Sequence, residues 1–249
     1  DIIEEVLPGH RKTLELPVPS LYTHTQLKMP IQVMHGRSPG PCLFLSAAIH
    51  GDEINGVEII RRVINLKNLK RLSGTLIAVP VVNIFGFINQ SRYLPDRRDL
   101  NRSFPGSESG SLAARIAYLF LNDVIDKCTH GIDIHTAAIH RENFPHIRAV
   151  LDDPETERMA NAFGSPLILG TSIIEGSLRE SVKEKGISII VYEAGEALRF
   201  NEVSIRAGVR GIISVMRELD MLPKLKKPRK APVTFVAKDS RWIRAPQSG

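Results

Sequence analysis

The stretch Pro41-Cys42-Leu43-Phe44-Leu45-Ser46-Ala47-Ala48-Ile49-His50-Gly51-Asp52-Glu53 decides how the chain folds. From residue 42 to residue 49 it is continuously apolar, and it stops at a polar turn cluster, His50-Gly51-Asp52-Glu53. A run of this length and composition is the pattern of a strand buried on both faces. Such a strand needs covering layers on each side, which points to an α/β architecture. Downstream, Val57, Ile60, Val63 and Ile64 recur at helical spacing, and residues 75–82 (TLIAVPVV) return to β-branched composition. The order is strand, helix, strand.

The same alternation continues along the chain. Periodicity predicts helices over 112–125, 155–163, 178–185 and 203–219, and strands over 131–135, 147–151 and 187–192. The fold class expected is α/β: a mixed, doubly wound sheet with helices on both faces. Residues 223–232, rich in Lys and Pro, break the rhythm. After them, 233–237 and 241–244 read as two strands joined by Lys238-Asp239-Ser240. Two strands do not make a stable domain. The expected organisation is a catalytic unit over 1–223, a basic linker over 224–232 and the start of a small β-rich C-terminal segment over 233–249.

At 249 residues, 43% hydrophobic and 24% charged, the chain has the composition of a soluble globular protein, so disorder and fibrous architectures are excluded. No apolar run approaches the roughly 20 residues needed to span a bilayer. The opening Asp1-Ile2-Ile3-Glu4-Glu5 is acidic where a signal peptide is basic, so a cytoplasmic location is expected. Cys42 and Cys128 lie far apart with no Cys-x-x-Cys pairing, which argues against a disulfide framework or a thiolate metal site. The net charge is +6, but Lys224, Lys226, Lys227, Arg229 and Lys230 supply five positive charges in one Pro-flanked stretch without interleaved aromatics. No nucleic-acid partner is expected from that pattern.

His50 and Glu53 form His-x-x-Glu at the carboxyl end of a buried strand, where ligands of open α/β sheets bind. An imidazole and a carboxylate on one tight turn can converge on a single ion. Ile132-Asp133-Ile134-His135 ends a second apolar strand with a second histidine. Two His and one Glu are a recognised ligand set for a catalytic zinc, which keeps a position open for water. His140 and His146 are rival ligands; His135 is preferred because it alone terminates a strand. Glu193 ends the run Ile187-Ser188-Ile189-Ile190-Val191-Tyr192 and is the candidate general base. Residues 91–106 (SRYLPDRRDLNRSFPG) lack strand or helix periodicity and are dense in guanidinium and amide groups. Asn101 with Arg102 is a candidate carboxylate clamp, and Arg92 could face the oxyanion of a scissile carbonyl.

Four ordered segments, AAIHGDE (47–53), SRYLPDRRDLNRSFPG (91–106), DIHTAAIHRENFPHIRA (133–149) and VYEAGEALRF (191–200), together resemble the succinylglutamate desuccinylase and aspartoacylase family. The resemblance implies a zinc carboxypeptidase-like fold, with one zinc per chain held by His50, Glu53 and His135. It further implies Glu193 as general acid and base, Arg92 as the group that polarises the carbonyl, and Asn101 and Arg102 as binders of the substrate carboxylate. The implied reaction is hydrolysis of an N-acyl amino acid by metal-activated water, with a small molecule as partner and no membrane. A homo-oligomer is left open. Consistent with direct attack by water, there is no Gly-x-Ser-x-Gly elbow, and neither cysteine sits beside a candidate base. A metallocarboxypeptidase acting on short peptides and a non-catalytic carboxylate-binding relative are the alternatives.

Overall fold

The computed structural model describes residues 5–21, 23–226, 233–241 and 243–247. Its strands are β1 (Arg11–Pro17), β2 (Lys28–His35), β3 (Ser38–Ala47), β4 (Ser73–Val79), β5 (His130–Ala137), β6 (Asn143–Ala149), β7 (Leu167–Gly170), β8 (Ser188–Glu196) and β9 (Phe235–Ala237). The helices are α1 (Asn55–Ile64), α2 (Ile84–Ile88), α3 (Leu112–Leu119), α4 (Pro154–Phe163), α5 (Leu178–Glu184) and α6 (Glu202–Glu218). All the strands join one sheet in the order β1-β2-β4-β3-β5-β8-β6-β7-β9. The centre, β4-β3-β5-β8, is parallel, whereas β2 and β6 run against their neighbours on either side of it. The expected mixed sheet is therefore present.

Strand β3 is buried from Cys42 to Ala47, and its side chains divide between two cores because successive Cβ atoms point to opposite faces. Phe44 joins Phe85 of α2, Ile116 of α3 and Leu178 and Val182 of α5. Leu43, Leu45 and Ala47 join Ile59 and Ile60 of α1, Met159 and Phe163 of α4, and Ile212 and Val215 of α6. Helices thus cover both faces, as the apolar run of β3 requires. Their starts are written locally: Ser111, Asp153, Ser177 and Asn201 cap α3, α4, α5 and α6 by accepting from backbone N–H groups of the first turn. Gly164, at φ 72°, closes α4 in the left-handed conformation. The helix expected over 112–125 forms, but its second half, Phe120–Ile125, is π-wound.

Two expectations need amendment. The strand read over 233–237 forms only at Phe235–Ala237, and it pairs in parallel with β7 at the sheet edge. Among the described residues no hairpin follows it: Arg241, Ile243 and Arg244 have no strand conformation, and Trp242 lies outside the described residues, as does 227–232 of the basic linker. The exposed edge of β7 offers a ready ladder, whereas an isolated two-stranded hairpin is marginal in water. Strands β1, β2 and β7 lie outside the elements expected from periodicity. Among the described residues no helix is long and apolar enough to cross a membrane.

Candidate metal centre

Three neighbouring parallel strands, β3, β5 and β8, deliver the central groups at their carboxyl ends. Ala48, at φ 50°, starts a turn in which the Glu53 N–H donates to the His50 carbonyl (3.1 Å), so both side chains leave one tight loop just before α1. Gly51 permits that loop to lie against α2: a Cβ built there would stand 1.9 Å from the carbonyl carbon of Gly86. Gly51→Ala should therefore force two backbones apart and destabilise the protein by about 1–3 kcal/mol, the scale of overpacking a dense core. Denaturant unfolding of that variant, with unchanged stability as the contrary result, checks this.

His50, Glu53 and His135 are all buried, and their ligating atoms lie within 4.8 Å of one another. Glu53 bridges the two rings: Oε1 is 2.7 Å from His50 Nδ1 and Oε2 is 2.8 Å from His135 Nδ1. The far nitrogens are equally committed, His50 Nε2 to Asp99 Oδ1 at 3.0 Å and His135 Nε2 to Asp133 Oδ2 at 2.7 Å. Ser46 in turn donates to the other oxygen of Asp133 (2.7 Å). A ring that gives Nε2–H to a carboxylate presents Nδ1 as its lone pair, which is the outer-shell arrangement that orients metal-ligating histidines. The donor set thus fits a divalent ion of borderline softness.

The protonation energetics agree. Burial opposes charge on both imidazoles, yet Glu53 and Asp99 raise the His50 pKa above its ordinary value, and Asp133 and Glu53 raise that of His135 well above it. Burial works against the Glu53 carboxylate too, but the two rings overrule it and hold its pKa far below the usual carboxylate range. Protons and a metal ion compete for the same two Nδ1 positions.

The other expected residues, Arg92, Asn101, Arg102 and Glu193, line one cavity of about 220 Å³ with the three cluster residues. Arg92 leans on the cluster, with Nη1 3.2 Å from His50 Nδ1 and Nη2 donating to Asp99 Oδ2 at 3.0 Å. Asp99 therefore holds Arg92 and His50 at once. Asn101 accepts at its side-chain Oδ1 from the Leu178 N–H (3.0 Å), at the start of α5. Arg102 is exposed and donates to the Asn101 backbone carbonyl. Of the rival histidines, His140 lies in an exposed loop, and His146 is buried with Nδ1 on the Phe144 carbonyl at 2.8 Å. Neither belongs to the cluster.

Sequence reasoning missed Asp99, Asp133, Asn143, Arg148 and Arg179. Asp99 and Asp133 lie inside quoted motifs, two residues from Asn101 and His135, where a search for carboxylates behind each imidazole would find them. Arg179 is 7% exposed and lines the cavity, and among the described residues it donates to Thr171 Oγ1 (2.8 Å) and the Ser172 carbonyl (2.7 Å). Burial and then the charge of Arg148 depress its pKa, with Glu193 and Asp133 opposing them. Arg148 and Asn143 both reach Glu193 from β6.

Fold and cluster together place the chain among α/β proteins built around a candidate metal centre at the carboxyl ends of parallel strands. It belongs to the succinylglutamate desuccinylase/aspartoacylase catalytic domain family, whose model matches residues 39–219. The chain is similar to the N-alpha-acetyl-L-2,4-diaminobutyric acid deacetylase of Halomonas elongata, with 28% identity over 192 residues, 74% of this chain and 56% of the relative. It thus spans little more than half the length of that curated relative. A succinylglutamate desuccinylase/aspartoacylase from Rhodobacter sphaeroides superposes with a TM-score of 0.78 at 26% identity, covering 86% of this chain and 67% of the other. The product-bound ectoine utilization protein EutE (DoeB) from Ruegeria pomeroyi gives 0.81 at 25%, covering 92% and 72%.

Proposed function

We propose that the chain carries the catalytic centre of a zinc-dependent deacylase that hydrolyses the amide of an N-acyl amino acid. The observation that carries this reading is the bridged cluster itself: Glu53 between two Nδ1 atoms, with a carboxylate behind each ring. Zinc held by His50, Glu53 and His135 would supply Lewis acidity to the scissile carbonyl and lower the pKa of water. Glu193, on the same cavity, takes the proton of the attacking water on its carboxylate and passes it to the leaving amine nitrogen. Arg92 faces the carbonyl oxygen as negative charge grows there. Asn101 and Arg102 grip the α-carboxylate and so fix the amide relative to Glu193.

Arg179 narrows the substrate. A buried guanidinium whose acceptors are a hydroxyl and a carbonyl is costly unless something anionic reaches it. Among the described residues no carboxylate pairs with it, so the substrate is read as carrying a second anionic group beyond the one bound by Asn101 and Arg102. The test is metal analysis of the purified protein, followed by assay of N-acetyl-L-aspartate, N-acetyl-L-glutamate, N-succinyl-L-glutamate, N-alpha-acetyl-L-2,4-diaminobutyrate and short peptides. About one zinc per chain is expected, as for a three-ligand catalytic site, with amidase activity lost to a chelator and restored by zinc. Metal-free protein that turns over none of the panel would overturn the reading.

A further inference from the structure

Glu193 is not left to find its own orientation. Strand β6 runs antiparallel to β8 with His146 directly opposite Glu193 and Arg148 opposite Val191, so that residues 146 and 148 share the face of the sheet from which Glu193 projects. Between Asn143 and His146 the register slips by one residue. A slip of that kind re-aims side chains, and here the Asn143 amide donates to Glu193 Oε2 at 2.6 Å. On the other oxygen, Arg148 Nε, a buried atom, stands 3.3 Å from Glu193 Oε1 and has no hydrogen-bond partner among the described residues. Asn143 is thus a directional tether and Arg148 an electrostatic one. A surface ion pair would be the bland alternative, but this pair forms part of the cavity wall, beside the second guanidinium of Arg179. Crowding two cations in one recess is unfavourable unless each has work there.

We infer that Arg148 and Asn143, both supplied by β6, are positioning residues for the Glu193 carboxylate: each fixes one of its oxygens, and together they set the direction in which it meets water and leaving amine. The inference rests on the deacylase reading of Glu193, and its test separates the two. Neither residue touches the bond being cut. Their effect therefore falls on kcat, while binding, set by Asn101, Arg102 and Arg179, is left alone.

Steady-state kinetics of the zinc-loaded protein decide it, using whichever of N-acetyl-L-aspartate, N-acetyl-L-glutamate and N-succinyl-L-glutamate has the highest kcat/KM. Arg148→Met and Asn143→Ala should each lower kcat about 10-fold to 100-fold, the scale of a catalytic group misplaced by a fraction of an ångström to one ångström, with KM changed less than about 3-fold. Arg148→Lys should recover part of the loss, because an ammonium restores the charge without the planar fork. The decisive arm is a double-mutant cycle. In a Glu193→Asp background the shortened carboxylate no longer reaches either tether, so Arg148→Met should then cost less than about 3-fold. Equal costs in both backgrounds, or an effect confined to KM, would overturn the inference. Near wild-type kcat in Glu193→Gln would instead remove Glu193 as the general base, whatever Arg148 does, while a wild-type protein that turns over none of the substrates would remove the deacylase reading. If Arg148→Met fails to fold, the same cycle run with Asn143→Ala carries the test.

Discussion

If the protein is the zinc deacylase proposed, Glu193→Gln is expected to bind zinc as the wild type does and to lose about 100-fold to 10,000-fold in kcat, the contribution of a positioned general base. The substitution is nearly isosteric, and the residue is only partly buried, so the fold has little reason to change. The amide still fills the space between Asn143 and Arg148, yet it cannot accept a proton at neutral pH. The His50–Glu53–His135 cluster lies one strand away: Glu193 pairs across β5–β8 with His135, so it borders the cluster without belonging to it. Zinc content, the thermal unfolding midpoint and KM should accordingly stay near wild type while turnover collapses. If zinc content falls in parallel with activity, Glu193 is a ligand, not a base; if turnover persists, the proton is moved by another group.

Much of this candidate site is legible in the sequence, and the physical reason is specific. Strands β3, β5 and β8 are sandwiched between helices, so burial on both faces leaves a largely apolar run in the sequence, and a His or Glu that interrupts it lies toward the strand's carboxyl end, although β5 and β8 run on to Ala137 and Glu196. In an open α/β sheet strand ends are where ligands bind, which is how His50, Glu53, His135 and Glu193 stand out as candidates from three separate segments. The guanidiniums were harder. Arg148 sits in a strand of mixed burial and Arg179 opens a short helix, and an arginine in either place normally faces water. That both turn inward depends on the register of β6 against β8 and on the packing of α5, neither of which is a local property. Asn143 is reached only through a slip in that register. Strand β2 had a usable signal, since Met29, Ile31 and Val33 are buried in strict alternation, but Pro30 between them is a residue that sheets exclude from central positions. Strand β1 is largely exposed along its length and leaves little hydrophobic trace. The strand read over 241–244 rests on two adjacent apolar residues between arginines, which is no period-2 pattern, and the described residues Arg241, Ile243 and Arg244 have no strand conformation.

Glu53→Ala is expected to bring zinc from about one per chain to near zero and to abolish hydrolysis, because two imidazoles alone are too few ligands for a stable three-ligand site. Stability should suffer as well. Glu53 is 2% exposed and accepts from His50, His135 and the Thr136 N–H (3.0 Å), joining the loop after β3 to the end of β5. With that carboxylate gone, Asp99 and Asp133 still hold the outer nitrogens, while the inner ones face each other across rings whose centroids are 5.1 Å apart. The rings must then shed the protons Glu53 stabilised, and the Thr136 N–H is stranded. Breaking a buried ion pair from one side costs about 3–5 kcal/mol. Neutralisation of the rings lowers that figure, so a loss toward its lower end is expected when metal-free wild type and variant are compared by denaturant unfolding. Measuring both in a chelator matters, since zinc bound only to the wild type would add its own binding energy to the difference. A Glu53→Ala protein that still carries stoichiometric zinc would mean that the ion is held elsewhere, and the bridged cluster would then be no more than a buried polar network.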